Sequence, residues 1–221
     1  MKEPVQIAIF DVCDTLYGEN TTLGFVQFFH GDRTWFKALD FIFTSRGSPV
    51  FYVLAIIYRL TGLDLPRAAT LASLRGYSRE ILSNAAGNYL KTRLASIAIP
   101  QTQNRLREHQ RMGDRVVLIS NSLDIVVAEI GKAMNAEWHA SPLSFDGNRC
   151  LGRTSRNLAG RKCDIARSLL AEHGGTVKLA VYTDNLSDRE LVEAADSPVI
   201  VIPPNQSREA WGGFQAEFIK L

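Results

Sequence analysis

The sequence predicts an α/β protein: a Rossmann-like parallel sheet core with an inserted all-helical domain. Three observations carry that expectation. Residues 5–10 form an apolar run broken only by Gln6 and closed by Asp11, and runs of the same kind recur at 116–119, 179–182 and 199–202. Unbroken apolar runs of this length suit strands covered on both faces, whereas a half-buried strand would alternate. Polar residues and then a helical pattern follow each of the first three runs, which is the rhythm of βα units around a parallel sheet. Finally, the stretch from about residue 18 to 99 has no comparable β-branched run and shows helical periodicity throughout.

The first strand therefore spans residues 5–10, with Asp11 at its carboxyl end. Within the insert, helices are expected over 22–29, 35–44, 49–60, 66–74 and 78–96. Gly31-Asp32, Gly47-Ser48-Pro49 and the run from Gly62 to Pro66 punctuate them, and Pro49 and Pro66 fall in first helical turns, where a missing N–H costs nothing. Ten of the 20 aromatic residues lie between Phe25 and Tyr58. Aromatics at helical spacing usually face a core, so the insert is expected to have a small core of its own; an apolar substrate pocket or a homodimer face is the alternative. The domain borders expected are 1–17 with 98–221 for the core and 18–97 for the insert. After the second strand, Asp146-Gly147 marks a hairpin turn, a helix is expected over 161–173 up to Gly174-Gly175, and another over 187–195.

Composition narrows the function classes. Hydrophobic residues make up 46% and charged residues 22% of the 221, ordinary for a globular protein large enough for a sizeable core. With 25 basic and 23 acidic residues the net charge is +2, and no basic run is long enough to follow a nucleic-acid backbone. Cys13, Cys150 and Cys163 are odd in number and lack CxxC spacing, against a disulfide framework or a zinc site and in keeping with a reducing cytoplasm. Residues 1–4 lead straight into the first strand without the ordered regions of a signal peptide. The most apolar run, 49–60, is shorter than the roughly 20 residues needed to span a bilayer and contains Arg59. No membrane insertion is expected.

The chemistry lies at the strand ends. Asp11 closes a buried strand, where a carboxylate can serve as metal ligand and nucleophile. Thr15, four residues on, can offer a hydroxyl and an amide to a phosphate oxygen, or simply stabilise the turn. Ser120 ends the second strand and is expected just before a helix starting near Leu123, either as an anion site or as an ordinary N-cap. Lys162 begins a helix, where a cation opposes the helix dipole; an anion nearby would explain it, and a solvated lysine is the alternative. Asp184 follows the third strand and Asp188 lies about one helical turn later, so both carboxylates can aim at one spot above the sheet. Magnesium takes oxygen ligands and keeps waters and phosphate in its shell, so such carboxylates suit it.

In this order and spacing four elements resemble the haloacid dehalogenase (HAD) superfamily, specifically its phosphoserine phosphatase-like branch with a helical cap inserted after the first strand. They are Ile9-Phe10-Asp11-Val12-Cys13-Asp14-Thr15-Leu16, Leu118-Ile119-Ser120-Asn121-Ser122, Lys162, and Tyr182-Thr183-Asp184-Asn185-Leu186-Ser187-Asp188. The resemblance covers nearly the whole chain. It implies Mg2+-dependent hydrolysis of a small phosphate monoester, with Asp11 attacking phosphorus to give an aspartyl-phosphate. Thr15, Ser120, Asn121 and Lys162 would hold the phosphoryl group, and Asp11, Asp184, Asp188 and the main-chain carbonyl of Cys13 would hold the metal. The departure is Cys13, which stands where phosphatases of the family carry a second Asp as general acid and base. Asp14 is the nearest carboxylate, but a one-residue shift in a chain leaving a strand turns the side chain away. A weakened phosphatase, a phosphate-binding protein without turnover and a dehalogenase-like hydrolase all follow from that change. The phosphoserine enzymes carry a Glu nine residues after the nucleophile; here Asn20 takes that place and Glu19 precedes it. Arg46, Arg59 and Arg75 are candidate contacts for a substrate anion.

Overall fold

The computed structural model describes residues 6–31, 33, 48–61, 64–173, 177–204 and 206–221. Its strands are β1 (Gln6–Phe10), β2 (Arg115–Leu123), β3 (Glu137–Ser141), β4 (Leu143–Asp146), β5 (Arg149–Thr154), β6 (Lys178–Thr183), β7 (Ser197–Ile202) and β8 (Glu217–Lys220). The helices are α1 (Thr21–His30), α2 (Pro49–Thr61), α3 (Leu65–Ala72), α4 (Arg79–Tyr89), α5 (Pro100–Met112), α6 (Asp124–Met134), α7 (Lys162–Ala171) and α8 (Arg189–Glu193). A π-helical turn, Leu90–Leu94, extends α4. Six strands form one sheet in the order β3-β2-β1-β6-β7-β8, every pairing parallel, while β4 and β5 make the hairpin around Asp146-Gly147. This is a Rossmann-like α/β fold.

The apolar strands read as expected because both sheet faces are buried. In β1, Ala8 and Phe10 face one cluster and Ile7 and Ile9 the other; β2 and β6 divide likewise, with Leu118 and Tyr182 on the first side and Ile119 and Val181 on the second. That two-residue alternation is the strand period. The expected strands at 116–119, 179–182 and 199–202 lie within β2, β6 and β7, while the edge strands β3 and β8 were not anticipated.

Local signals explain the helix ends. Asn20 caps α1 by accepting from Thr22 N and Leu23 N, and Asp64 caps α3 through Arg67 N. Gly113 ends α5 at φ 81, the left-handed conformation that glycine takes without a Cβ penalty. The helix expected over 35–44, and Arg46, lie outside the described residues.

Two expectations need correction. The described part of the segment between β1 and β2 has no separate core: Phe25, Val26, Leu71, Leu74, Leu82, Ala86 and Tyr89 join the cluster that contains Phe10, Leu118 and Val126. The reason is direct contact of α1 and α4 with α6, which itself covers the sheet. Second, α6 begins at Asp124, next to the expected Leu123, but β2 continues to Leu123, which is the cap position, so Ser120 is a strand residue and not the N-cap.

The chain leaves the sheet and returns at adjacent points. Gly18 N donates to Ile97 O (2.9 Å), Ile99 N donates to Leu16 O (3.0 Å), and Tyr17 bridges Ala98 in antiparallel sense. Farther out, Gly152 of β5 packs against α3. It sits at φ +68, and an added Cβ would lie 2.9 Å from Ala72 Cα and 3.1 Å from Leu71 O. Left-handed strain and overpacking then add, so Gly152→Ala is expected to cost roughly 2–4 kcal/mol. Urea denaturation checks this, and an unchanged midpoint would show that the hairpin does not rest on α3 as described.

Candidate active site

Sheet register brings the predicted residues together. Phe10 of β1 pairs with Leu118 of β2 on one side and Tyr182 of β6 on the other. The residues just past these positions, Asp11, Ser120 and Thr183-Asp184, therefore share the carboxyl edge of the sheet, where ligands of open parallel sheets bind. Asp11 N donates to Tyr182 O (2.9 Å), which fixes the nucleophile candidate at the strand end.

The centre of the site is a buried cation between two buried carboxylates. Lys162 Nζ lies 2.5 Å from Asp11 Oδ2 and 2.7 Å from Asp188 Oδ2, with Asp11 and Lys162 each only 6% exposed. This explains a lysine at the first residue of α7. Asp11 Oδ1 accepts from Val12 N (2.7 Å), and Asp188 Oδ2 also accepts from the Thr183 hydroxyl (2.7 Å). Burial pushes the Asp11 carboxyl up; Lys162 opposes that and Asp188 adds to it. Burial alone would lower Lys162, but Asp11 and Asp188 outweigh it and hold the ammonium above its usual range.

Asp184 and Asp188 take different partners. Thr15 donates its hydroxyl to Asp184 Oδ1 (3.0 Å) and accepts from Asp184 N (3.1 Å), so this threonine ties the chain after β1 to the end of β6. The Thr15 hydroxyl is thus committed to Asp184. No cation pairs with Asp184 among the described residues, and its pKa is pushed up to about 7 by burial and then by the charges of Asp11 and Asp14. Thr183 and Asn185 have local tasks as well: Thr183 orients Asp188, and Asn185 caps the short 3-10 turn by accepting from Ser187 N (3.0 Å).

On the β2 side, pairing with β3 is irregular between Ile119 and Leu123, and Ser120, Asn121 and Ser122 occupy that irregular stretch. Ser120 Oγ donates to Ser122 Oγ (3.2 Å), and Asn121 Oδ1 accepts from Ser141 Oγ (2.7 Å). Ser122 and Thr21 hold Cys13: its Sγ lies 3.2 Å from Ser122 Oγ and 3.4 Å from Thr21 Oγ1, and it accepts from Thr21 N (3.3 Å). Burial and then Asp11 push the thiol pKa up, so Cys13 is a neutral thiol in a hydrogen-bonded pocket.

Asp14 sits at φ 49, in the left-handed region that Asp tolerates better than most residues. Its carboxyl has no hydrogen bond or ion pair among the described residues. Burial, then Asp11 and Glu19, push its pKa up, and its charge in turn acts on Asp184. The one-residue shift therefore does not remove Asp14 from the electrostatic field of the site.

Ser122 stood in the quoted Leu118–Ser122 element without a role of its own, although residues two apart on a strand share a face, here with Ser120. Thr21 and Arg67 carried no comparable signal. Arg67, part-buried on α3, donates to the main-chain carbonyl of Asn121 (2.6 Å) and so links the helical segment to the site. Arg59 and Arg75 are exposed. Neither residue at the phosphoserine-recognition position is free: Asn20 caps α1, and Glu19 accepts from Tyr89 OH (2.5 Å) and from Arg93 (2.6 Å).

Among the described residues no three side chains from His, Cys, Asp and Glu form a preformed metal cage. The donor set nevertheless fits a hard divalent cation. Asp11 raises the pKa of Asp14, Asp11 and Asp14 both raise that of Asp184, oxygen is the only donor type among the three carboxyls, and Mg2+ completes its shell with water and phosphate.

Known structures share this architecture. A protein of unknown function from Bordetella pertussis Tohama I superposes with a TM-score of 0.72 at 19% identity over 97% of this chain and 98% of that chain. A phospho-aspartyl intermediate analogue of phosphoserine phosphatase gives 0.64 at 12% identity over 98% and 94%. Cytosolic 5'-nucleotidase IIIB bound to cytidine gives 0.63 at 13% identity over 94% and 75%. At these identities the likeness is one of fold. No curated protein sequence matches significantly. The haloacid dehalogenase-like hydrolase family model matches residues 8–193, from the first strand through Lys162 to the helix after Asp188, and the chain belongs to that family.

Proposed function

We propose that this protein is a cytoplasmic, magnesium-dependent phosphoric monoester hydrolase, with residues 1–17 and 98–221 as its core and 18–97 as an inserted helical cap. The observation that carries the proposal is the buried Asp11–Lys162–Asp188 contact beside Asp184. Asp11 supplies the nucleophile, and Lys162 supplies positive charge where the phosphoryl oxygens gather. Asp188 positions Lys162, and Thr15 positions Asp184. Transfer through a loose transition state needs such positioning and charge neutralisation more than covalent help.

In the first step an Asp11 oxygen forms a bond to phosphorus while the bond to the ester oxygen breaks. The departing alkoxide takes a proton from Asp14. In the second step Asp14 takes a proton from water, whose oxygen attacks phosphorus and releases Asp11 and inorganic phosphate. Asp11, Asp184 and the Cys13 carbonyl would hold Mg2+, which supplies neutralisation of phosphoryl charge. The raised pKa of Asp14 suits a group that alternates between acid and base. Ser120 and the main-chain amide of Asn121 would take phosphoryl oxygens from the β2 end of the site. The engaged state of Glu19 and Asn20 favours an ester other than phosphoserine.

A second reading follows from Cys13. Held by Thr21 and Ser122 as a neutral thiol, it leaves the usual acid/base position without a carboxylate, which would make the site a phosphate binder with little turnover. Hydrolysis of p-nitrophenyl phosphate with Mg2+ separates the two. The expected result is measurable wild-type activity that Asp11→Asn abolishes. Wild-type inactivity rescued by Cys13→Asp would establish the binder, and inactivity of both would overturn the phosphatase assignment.

Because the nitrophenolate leaves without protonation, Asp14→Asn is expected to spare the first burst of nitrophenolate and to slow the turnover that follows, which needs the base. With an alkyl phosphate the first step should slow as well, by roughly 10²- to 10⁴-fold. Unchanged turnover of both esters would remove Asp14 from the acid/base role.

The third test uses stability. The folded pKa of Asp184 is raised from 3.8 to about 7, so its charged form costs stability as pH climbs above 3.8, and the full cost is reached above 7. Metal-free Asp184→Asn should therefore melt above wild type at pH 8, by a few degrees, with the gap shrinking at pH 5. The same variant should lose Mg2+-dependent activity. A variant less stable than wild type at pH 8 would show that Asp184 is not under charge stress.

A further inference from the structure

A cavity of about 150 Å³ lies between the starts of α1 and α3. Two contacts tie it to the catalytic edge. Arg67, one of its lining residues, donates to the Asn121 carbonyl (2.6 Å). Thr21, between the lining residues Asn20 and Thr22, has its Oγ1 2.6 Å from Ser122 Oγ and 3.4 Å from Cys13 Sγ. Cys13 stands at the position that serves the leaving group in this family, so the cavity borders the space of the ester group. Its lining carries more hydrogen-bonding capacity than the protein uses. Asn20 gives Oδ1 to the cap of α1, while its Nδ2 donates to nothing among the described residues. Arg67 uses one Nη on Asn121, and Thr70 donates to Pro66 O (2.8 Å) but keeps its oxygen as an acceptor. Thr22 is the sharpest case: it is 3% exposed, yet its hydroxyl has no partner among the described residues. A buried polar group left unpaired is rare in native structures and calls for an explanation.

We infer that this cavity selects the ester group of the substrate, and that the group is a short, uncharged polyol such as glycerol, whose hydroxyls supply the partners that Thr22, Thr70, Asn20 and Arg67 lack. The inference rests on the phosphatase reading and adds the substrate class to it. Donors and acceptors are mixed in the lining, and hydroxyls, each able to donate and to accept, match such a mixture. Charge is balanced, since Asp64 and Arg67 are the charged residues of the lining and act on each other. A carboxylate would gain little from the two helix starts, because the main-chain N–H groups that bind anions there are capped. Asn20 Oδ1 takes those of Thr22 and Leu23, and Asp64 Oδ1 takes that of Arg67. An ammonium would find only the exposed Asp64 as counter-ion. Size restricts the group as well: 150 Å³ is below the about 300 Å³ at which pockets for drug-sized ligands begin.

Calorimetry with Mg2+ on the Asp11→Asn protein, which lacks the nucleophile, tests it. Glycerol phosphate is expected to bind at least about tenfold more tightly than propyl phosphate, which has the same carbon chain without the hydroxyls, and more tightly than phosphoglycerate or phosphoserine. In the same background Thr22→Val keeps the shape and removes the hydroxyl. It should cut the preference for the glycerol over the propyl ester several-fold and melt no lower than its parent, because the lost hydroxyl had no partner; Thr22→Ser should keep the preference. Equal affinity for the two esters overturns the inference, as does tighter binding of either charged ester or an unchanged preference in Thr22→Val. Should Thr22→Val melt more than about 5 °C lower, Asn20→Asp decides, since it keeps the cap and removes the Nδ2 donor: a reduced preference upholds the polyol and an unchanged one overturns it. The underlying reading fails separately. If wild type leaves p-nitrophenyl phosphate intact and Asp11→Asn binds no inorganic phosphate, both fall, whereas phosphate binding without an ester preference removes the polyol alone.

Discussion

The ammonium of Lys162, enclosed between Asp11 and Asp188, is the contact on which the site depends. Each of the three groups would be unstable in that position alone, because an unpaired charge out of water costs several kcal/mol. Together they satisfy one another, and in doing so they join the end of β1, the start of α7 and the turn after β6. The arrangement also distributes charge unevenly. Two acids share one lysine, while Asp184, which Thr15 and its own main chain support, keeps a carboxyl that burial pushes up to about 7. A site with four carboxyls, Asp11, Asp14, Asp184 and Asp188, around one lysine is under electrostatic stress, and an added cation or a bound proton relieves it.

What could be read from sequence follows from burial. The strands β1, β2, β6 and β7 are covered on both sides, so their composition is nearly all apolar and unmistakable. The edge strands are different: Glu137 and Trp138 in β3, and Glu217 and Lys220 in β8, are exposed, and such mixed composition carries no strand signature. Asp11, Ser120 and Asp184 were legible because strand ends bring them to one edge, and Lys162 because a cation at a helix start calls for an anion nearby. Their partners were not. The spacing of Asp184 and Asp188 tells that both lie near the metal region, but whether Asp188 faces a metal or Lys162 depends on where α7 begins in space. Thr21 and Arg67 reach the site from a helical segment whose path over the sheet has no linear code.

The helical segment is coupled to the site through more than apolar contact. Its Phe25, Leu82 and Tyr89 sit in the same cluster as Phe10 of β1, so moving it would expose core side chains of the sheet layer. Polar links add direction: Glu19 gathers Tyr89 and Arg93, the latter presented by the π-helical turn, and Arg67 grips the Asn121 carbonyl. A π-turn widens the helix by a fraction of a turn and so re-aims the side chain it carries.

The side-by-side passage of Tyr17 and Ala98 has a consequence for how such a chain can change over time. Where two crossings are clasped by main-chain hydrogen bonds, the sheet meets the same two anchor points whatever lies between them. Closing a longer or shorter excursion costs only a slowly growing entropy, about 0.6 kcal/mol per doubling of its length. The segment can therefore be remodelled, lengthened or exchanged while strand order and strand-end chemistry stay as they are, which makes this clasp a natural place for new specificities to be grafted on to an old hydrolase core.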